Sequence, residues 1–295
     1  MKEIKLRAAA KINLSLDIVG RREDGYHLMD MVMQSVGLAD TVRLKKQPEQ
    51  VSVSVMRDGL QVGGIPQDDT NTAVRAARLF FQHTGLHEGC QIQIEKRIPH
   101  QAGMGGGSAD AAAVLIGLNR LYGAGLSPQQ LAEIGLQVGA DVPFCLVGGT
   151  ARVGGIGERI EPVTLLTVGH LVVIKPPFGI STGEAFASFD RHGVAMRPDN
   201  EALIRAIGKG DLSAMAMAMV NVMEESTGHP EIRTLREELT DAGARATLMT
   251  GSGSAVYGIF ASELEALSAM GRMLGAGKTY LTVPVPEGVQ IAETL

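Results

Sequence analysis

Between Pro99 and Ala112 the chain reads Pro-His-Gln-Ala-Gly-Met-Gly-Gly-Gly-Ser-Ala-Asp-Ala-Ala, a composition suited to holding an anion. Glycines let a backbone approach a ligand closely and turn its N–H groups toward phosphate oxygens, and a helix starting there adds about half a positive charge of dipole. The run is not a Walker A loop, because no Gly-Lys-Ser/Thr follows, and it lacks the parallel β-α-β context of a dinucleotide fingerprint. For glycine richness alone, a structural turn against the core competes with ligand binding. Ordering three consecutive glycines, Gly105, Gly106 and Gly107, costs roughly 1 kcal/mol each against alanine, which favours a functional loop. Lys11 also stands out. It interrupts an apolar alternation, where an ammonium is expensive to bury without a carboxylate. Asp141, taken alone, reads equally as a cap or a surface partner.

These residues need elements to position them. Ile12, Leu14, Leu16 and Ile18 alternate with polar or small residues, the period of a half-buried strand, and Asn13 shares the Lys11 face. Val42–Leu44, Val51–Val55 and Gln91–Ile94 repeat the signal more weakly, so the first third is strand-rich. The glycine run follows a strand ending near Ile98 and leads into a helix over Ala109–Tyr122. Val74, Ala77, Arg78 and Phe81 recur at helical spacing over Thr72–His83, with Gly85 as a stop. Ser127-Pro-Gln-Gln130 is a helix start with a capping box, and that helix should end near Gly139. Asp24-Gly25 is a turn signal that puts Tyr26 and His27 on a loop. Beyond about Pro162 come a strand over Gly169–Ile174, several helices, two short strands around Gly251–Ser254, a helix over Ser262–Leu274 and a final strand near Tyr280. That order suits an antiparallel sheet covered by helices, a split β-α-β arrangement. Two domains are expected, 1–160 and 161–295, in an α+β fold.

Composition narrows the function classes. With 295 residues, 45% of them apolar and 20% charged, the chain should fold throughout and divide into two lobes. Its formal charge of −5 offers no basic stripe for nucleic acid. Cys90 and Cys145 lie outside any metal-ligand spacing and read as buried thiols of a reducing compartment. No apolar span approaches the roughly 20 residues of a membrane helix, so a cytoplasmic protein is expected, without membrane or nucleic-acid partners.

The segment Pro99–Ala112 resembles the second motif of the GHMP kinases. Ala10-Lys-Ile-Asn-Leu-Ser-Leu16, Asp24-Gly-Tyr-His27, Gly139-Ala-Asp-Val-Pro-Phe144, Gly148-Gly-Thr-Ala151 and Gly251-Ser-Gly-Ser-Ala255 resemble the branch acting on a cytidine-diphosphate-linked alcohol. The resemblance covers residues 8 to about 260 in the family order. It implies an N-terminal domain like ribosomal protein S5 domain 2, a ferredoxin-like C-terminal domain, and ATP with Mg2+ as cofactors. The implied reaction phosphorylates the 2-hydroxyl of a methylerythritol moiety in the non-mevalonate route to isoprenoid precursors, by a monomer or homodimer.

By position, the resemblance implies Asp141 as base and Lys11 as its partner, since a tertiary alcohol is a poor nucleophile. It assigns ATP binding to Asn71, Lys96, Pro99, Ala102, Gly103, Met104, Gly105, Gly106, Gly107, Ser108 and Ala109, with Ser108 the metal contact. For Asn71 an N-cap role for the helix from Thr72 competes. Substrate binding falls to Asn13, Tyr26, His27, Thr182 and Phe186, with a cytosine sandwiched by Tyr26 and Phe186, and Gly251, Ser252 and Gly253 form the third glycine motif. Where the family has Asn-Asp-Leu-Glu, this chain has Asn221-Val-Met-Glu224, expected on a helix with consequences for packing only. Competing readings are a mevalonate, homoserine or sugar kinase, which would not need Asp24–His27 or Phe186, and a nucleotide-binding module without turnover, which would not need both Lys11 and Asp141.

Overall fold

The computed structural model describes residues 1–294. The chain opens with two long antiparallel strands, β1 (Glu3–Arg21) and β2 (His27–Gln47), joined by a turn at which Arg21 faces His27. Alternation along β1 predicts a half-buried strand, yet residues 8–18 are buried on both faces. The reason is a second lobe lying on the polar face. There Ser15 Oγ donates to Asn200 Oδ1, Arg197 Nη1 donates to Asp17 Oδ1 at 2.6 Å, and Asn13 N donates to Thr250 Oγ1 at 3.0 Å. A polar stripe that reads as a solvent face is thus a seam whose groups are satisfied across the interface.

The first lobe continues with β3 (Val51–Arg57), β4 (Leu60–Gln61), α1 (Thr72–Thr84), β5 (Gly89–Glu95), α2 (Gly106–Tyr122), α3 (Pro128–Val138), α4 (Val142–Val147), β6 (Thr150–Gly155) and β7 (Arg159–Pro162). Strand β2 is shared by two partners: its first half pairs with β6, its second half with β5, and β3 lies parallel to β5. Helix α2 packs on β1 and β2, so closely at Gly117 that a Cβ there would stand 2.4 Å from Leu44 Cδ1. The helix signals resolve as expected at α1, which ends at a left-handed Gly85, and at α3, where Ser127 and Gln130 form the capping box. Helix α2 starts three residues before the expected Ala109, which takes Gly106 and Gly107 into its first turn.

The second lobe contains β8 (His170–Lys175), α5 (Thr182–His192), α6 (Asn200–Lys209), α7 (Leu212–Ala218), α8 (Pro230–Asp241), β9 (Ala246–Met249), β10 (Val256–Phe260), α9 (Glu263–Arg272) and β11 (Lys278–Thr282). Its sheet order is β11-β8-β10-β9, antiparallel throughout, the ferredoxin-like order with the first strand between the fourth and the third.

Two expectations are corrected. The strand near Tyr280 is not the last: β12 (Val289–Thr294) returns to the first lobe and pairs with β1, so the second domain does not run to residue 295. Asn221–Glu224 is not helical. Helix α7 stops at Ala218, and Asn221 forms a bridge to Leu16 because its amide is taken up by a distant loop, as described below.

Candidate active site

One cleft of about 1060 Å3 opens between the lobes. Its floor is β1. Lys11 and Asn13 project from one face of that strand, and Lys11 Nζ donates to Asn13 Oδ1 at 2.8 Å. The same ammonium stands 3.4 Å from Asp141 Oδ2, with the Lys11 side chain 5% exposed and that of Asp141 32% exposed. Asp141 occupies the N-cap position of α4, but its side chain makes no capping bond. The carboxylate therefore remains free to face the cleft, held by one buried cation.

The glycine run forms one wall. Lys11 N donates to Met104 O at 3.0 Å and Ala255 N donates to Ala102 O at 3.3 Å, which fixes the run between β1 and the start of β10. Gly103, at φ +70, passes so near the third glycine motif that a Cβ would stand 2.0 Å from Thr250 O. Lys11 is clamped between the two loops: a Cβ on Gly105 would meet its Cγ at 2.9 Å, and one on Gly251 its Nζ at 3.2 Å. Pro99, Ala102, Gly103, Met104 and Gly105–Ser108 line the cleft, as do Gly251, Ser252 and Gly253. Ser108 lies in the first turn of α2, where N–H groups 105–108 lack helical partners and favour an anion.

Behind the loop lies a charge cluster that sequence reasoning missed. Lys96 Nζ donates to Asp110 Oδ2 at 2.7 Å and to Asp40 Oδ2, while Asp40 Oδ1 accepts from Arg97 N and Ile98 N at 2.6 and 2.9 Å. Burial, then the neighbouring Asp40, push the Asp110 carboxyl up to about 7 against the pull of Lys96. Lys96, expected at the nucleotide, lines the cleft, and its ammonium is held beneath Gly106 by two buried carboxylates. An acidic residue inside the apolar run Ala109–Ala113 was the available signal.

Two other expected residues, Asn71 and Ala109, do not line the cleft, and a third, Tyr26, lines it from an exposed position. Asn71 uses both ends of its amide within the protein, accepting from Ala73 N at 2.9 Å and donating to Pro66 O at 2.7 Å, and its neighbour Thr72 lines the cleft instead. Ala109 is fully buried under the loop. Tyr26 is 62% exposed, and the ring stacked on Phe186 is His27, with centroids 4.5 Å apart and 10° between planes. Thr182 Oγ1 lies 3.3 Å from Ser252 Oγ, joining α5 to the third motif. That motif also explains Asn221 and Glu224. Asn221 Nδ2 donates to Met249 O and Gly251 O, both at 2.8 Å, and Glu224 Oε2 accepts from Met249 N at 2.9 Å.

A glycine-lined phosphate cradle, a lysine–aspartate pair at its end and a ferredoxin-like second lobe define a GHMP kinase, an ATP-dependent small-molecule kinase. Residues 71–149 match the GHMP kinases N terminal domain and residues 203–279 the GHMP kinases C terminal. The chain belongs to the 4-diphosphocytidyl-2-C-methyl-D-erythritol kinase family. It is 42% identical to the kinase of that name from Caldicellulosiruptor bescii over 97% of this chain and 99% of the relative. It is 41% identical to the one from Alkaliphilus metalliredigens over 91% and 92% of the two chains. A crystal structure of 4-(cytidine 5'-diphospho)-2C-methyl-D-erythritol kinase superposes with a TM-score of 0.80 at 31% identity, covering 95% of this chain and 99% of that one. Among the described residues no helix is long and apolar enough to cross a membrane.

Proposed function

We propose that this chain transfers the γ-phosphoryl group of ATP to the 2-hydroxyl of 4-diphosphocytidyl-2-C-methyl-D-erythritol, giving the 2-phosphate and ADP. The observation that carries this reading is the Lys11–Asp141 pair, 3.4 Å apart at the end of the glycine cradle, with the Asp141 carboxylate otherwise unengaged. Asp141 accepts the hydroxyl proton as the alcohol oxygen bonds to the γ-phosphorus and the bond to the β,γ-bridging oxygen breaks. Lys11 holds the carboxylate in place and offsets negative charge near the transferring group. The N–H groups of residues 105–108 take the phosphates, an electrostatic arrangement that is set before the reaction starts.

Mg2+ fits this donor set. No cluster of three or more metal-ligating side chains occurs among the described residues, and Mg2+ at kinase sites takes its oxygens chiefly from nucleotide phosphates and water. Ser108 Oγ, at the start of α2, would be the protein contact, and the ion would neutralise phosphate charge when bound. The cytidine end of the substrate would lie against His27 and Phe186, with Tyr26 at the rim. Incubating purified protein with ATP, Mg2+ and each of 4-diphosphocytidyl-2-C-methyl-D-erythritol, mevalonate, homoserine and a hexose, with products identified by phosphorus NMR, tests the assignment. A phosphate monoester on the cytidylyl substrate alone is expected; turnover of another acceptor, or none, would replace this reading.

A further inference from the structure

Three side chains of α5 converge on His27. Phe186, Phe189 and Asp190 are three and four residues apart and so share one helix face. Phe186 lies flat on the imidazole, Phe189 meets it edge-on with centroids 6.4 Å apart, and Asp190 Oδ1 stands 2.7 Å from Nε2. The ring is held by a face, an edge and one nitrogen. Asp190 Oδ2 also lies 3.4 Å from Arg21 Nη1, so the carboxylate ties both ends of the β1–β2 turn to the second lobe. Its position in the last turn of α5 opposes the helix dipole, and the contacts with His27 and Arg21 offset that penalty. The bond from His27 holds the Asp190 carboxyl below the usual carboxylate range, so the group is ionised near neutral pH.

An ionised carboxylate has no proton to give. The hydrogen in this bond is therefore on His27 Nε2, and in the neutral imidazole the other nitrogen, Nδ1, carries a lone pair. Nδ1 has no hydrogen-bond partner among the described residues, and His27 lines the cleft. We propose that Asp190 is a positioning residue for base selection: it fixes His27 as the Nε2–H tautomer, presenting Nδ1 as an acceptor that favours a 4-aminopyrimidine over a 4-oxopyrimidine. This deepens the reading given above and rests on it. Cytosine offers an exocyclic N–H donor at its 4-position, whereas uracil offers a second acceptor there, leaving two lone pairs opposed and unpartnered. Stacking on Phe186 or Tyr26 accepts either base, so discrimination must come from such a polar contact.

Two measurements on the full chain test this without relying on turnover. Nitrogen NMR of histidine-labelled protein, with the His27 signal assigned by its loss in His27→Gln, is expected to show Nε2 protonated and Nδ1 bare. Asp190→Ala should convert it to a mixture of tautomers, and Asp190→Asn, whose amide oxygen can still accept, should restore the wild-type signal. Calorimetry with CDP and UDP is expected to show a preference for CDP that falls by about tenfold or more in Asp190→Ala, recovers in Asp190→Asn, and leaves ATP affinity unchanged. An Nδ1–H tautomer in the wild-type protein, or an unchanged CDP-to-UDP ratio in a folded Asp190→Ala protein, would overturn the proposal. A wild-type protein that binds CDP no better than UDP would overturn it too. Failure to phosphorylate the cytidylyl substrate would instead sink the proposed function while both readouts still decide the role of Asp190.

Discussion

At the cleft floor, Lys11 and Asp141 form one pair but should fail differently. Asp141 caps nothing with its side chain, so Asp141→Asn removes a proton acceptor and little else. We expect kcat to fall by about two to four orders of magnitude, with ATP affinity by calorimetry and the melting temperature close to wild type. Near-normal turnover would remove Asp141 from the chemistry. Lys11→Ala should lose both activity and stability, because the side chain fills the gap between the Gly105 and Gly251 loops and partners the buried Asn13 amide. The Asp110 carboxyl makes a prediction about pH. Its folded value is raised to about 7 from 3.8, so the folded protein binds the proton more tightly than the unfolded chain. That contribution to stability is fully present below the ordinary carboxylate range and is lost as pH rises through about 7. Burial pulls the Lys96 ammonium down, but the charges of Asp110 and Asp40 and their hydrogen bonds outweigh it and raise the group from an already high value, so it adds no slope in this window. The melting temperature of Asp110→Asn, followed between about pH 4 and pH 8, should therefore fall less with rising pH than that of the wild type. Parallel curves would show that the cluster does not hold the proton. Lys11, Asn13 and the glycines were legible because their types are costly in their local context. The Lys96 cluster and Asp190 were not, since their partners lie on other elements.

The elements around the site divide in the same way. Caps are local, and the starts of α1 and α3 could be read from Asn71 and Ser127 because each bond closes within three residues. The second burial of β1 could not be read, because its polar face is covered by residues from Arg197 onward. Nor could the turn at Asn221, whose amide bonds reach Met249 and Gly251. The glycines of the cradle likewise differ by what surrounds them. Gly106 has no left-handed backbone, and a Cβ there would point inward, 3.1 Å from Ile98 Cγ2 and 3.3 Å from Lys96 Nζ, rather than at a phosphate. A valine at Gly106 would weaken ATP binding by displacing the buried lysine, not by filling the anion's place. Gly103 is the stricter position. Its φ of +70 costs a side-chain-bearing residue on the order of 1–2 kcal/mol, and the Cβ would also collide with Thr250 O at 2.0 Å. Gly103→Ala is accordingly expected to lower the melting temperature and to separate the second and third glycine motifs, seen as weakened ATP binding by calorimetry. A Gly103→Ala protein with unchanged stability would mean that the two loops are free to part.

Across the whole molecule, the chain crosses from the first lobe to the second after β7 and crosses back after β11. The return segment is laced into the first lobe before it reaches β12: Gly37 N donates to Val283 O, Val285 N to Ser35 O, and Ala9 N to Gly288 O, at 2.8 to 2.9 Å. Gly148 and Gly288 approach so closely that a Cβ on Gly148 would stand 2.0 Å from Gly288 N. Strand β12 then covers the edge of β1 from Ile4 to Ala8, immediately before Lys11. Its sequence, Val-Gln-Ile-Ala-Glu-Thr, is mostly exposed and carries little strand signal, so pairing rather than burial makes it a strand. Among the described residues none beyond Gly253 lines the cleft, so the tail's pairing with the first lobe can be tested apart from the site. Truncation after Thr282 should therefore leave the folded protein with near-normal affinity for ATP but lower its melting temperature. It should also uncover an unpaired edge on β1, a site for association between chains. Thermal melts and light scattering of the truncated protein check this: a wild-type melting temperature with no increase in scattering would show that the two crossings do not hold the lobes, and that the edge of β1 is protected by other means.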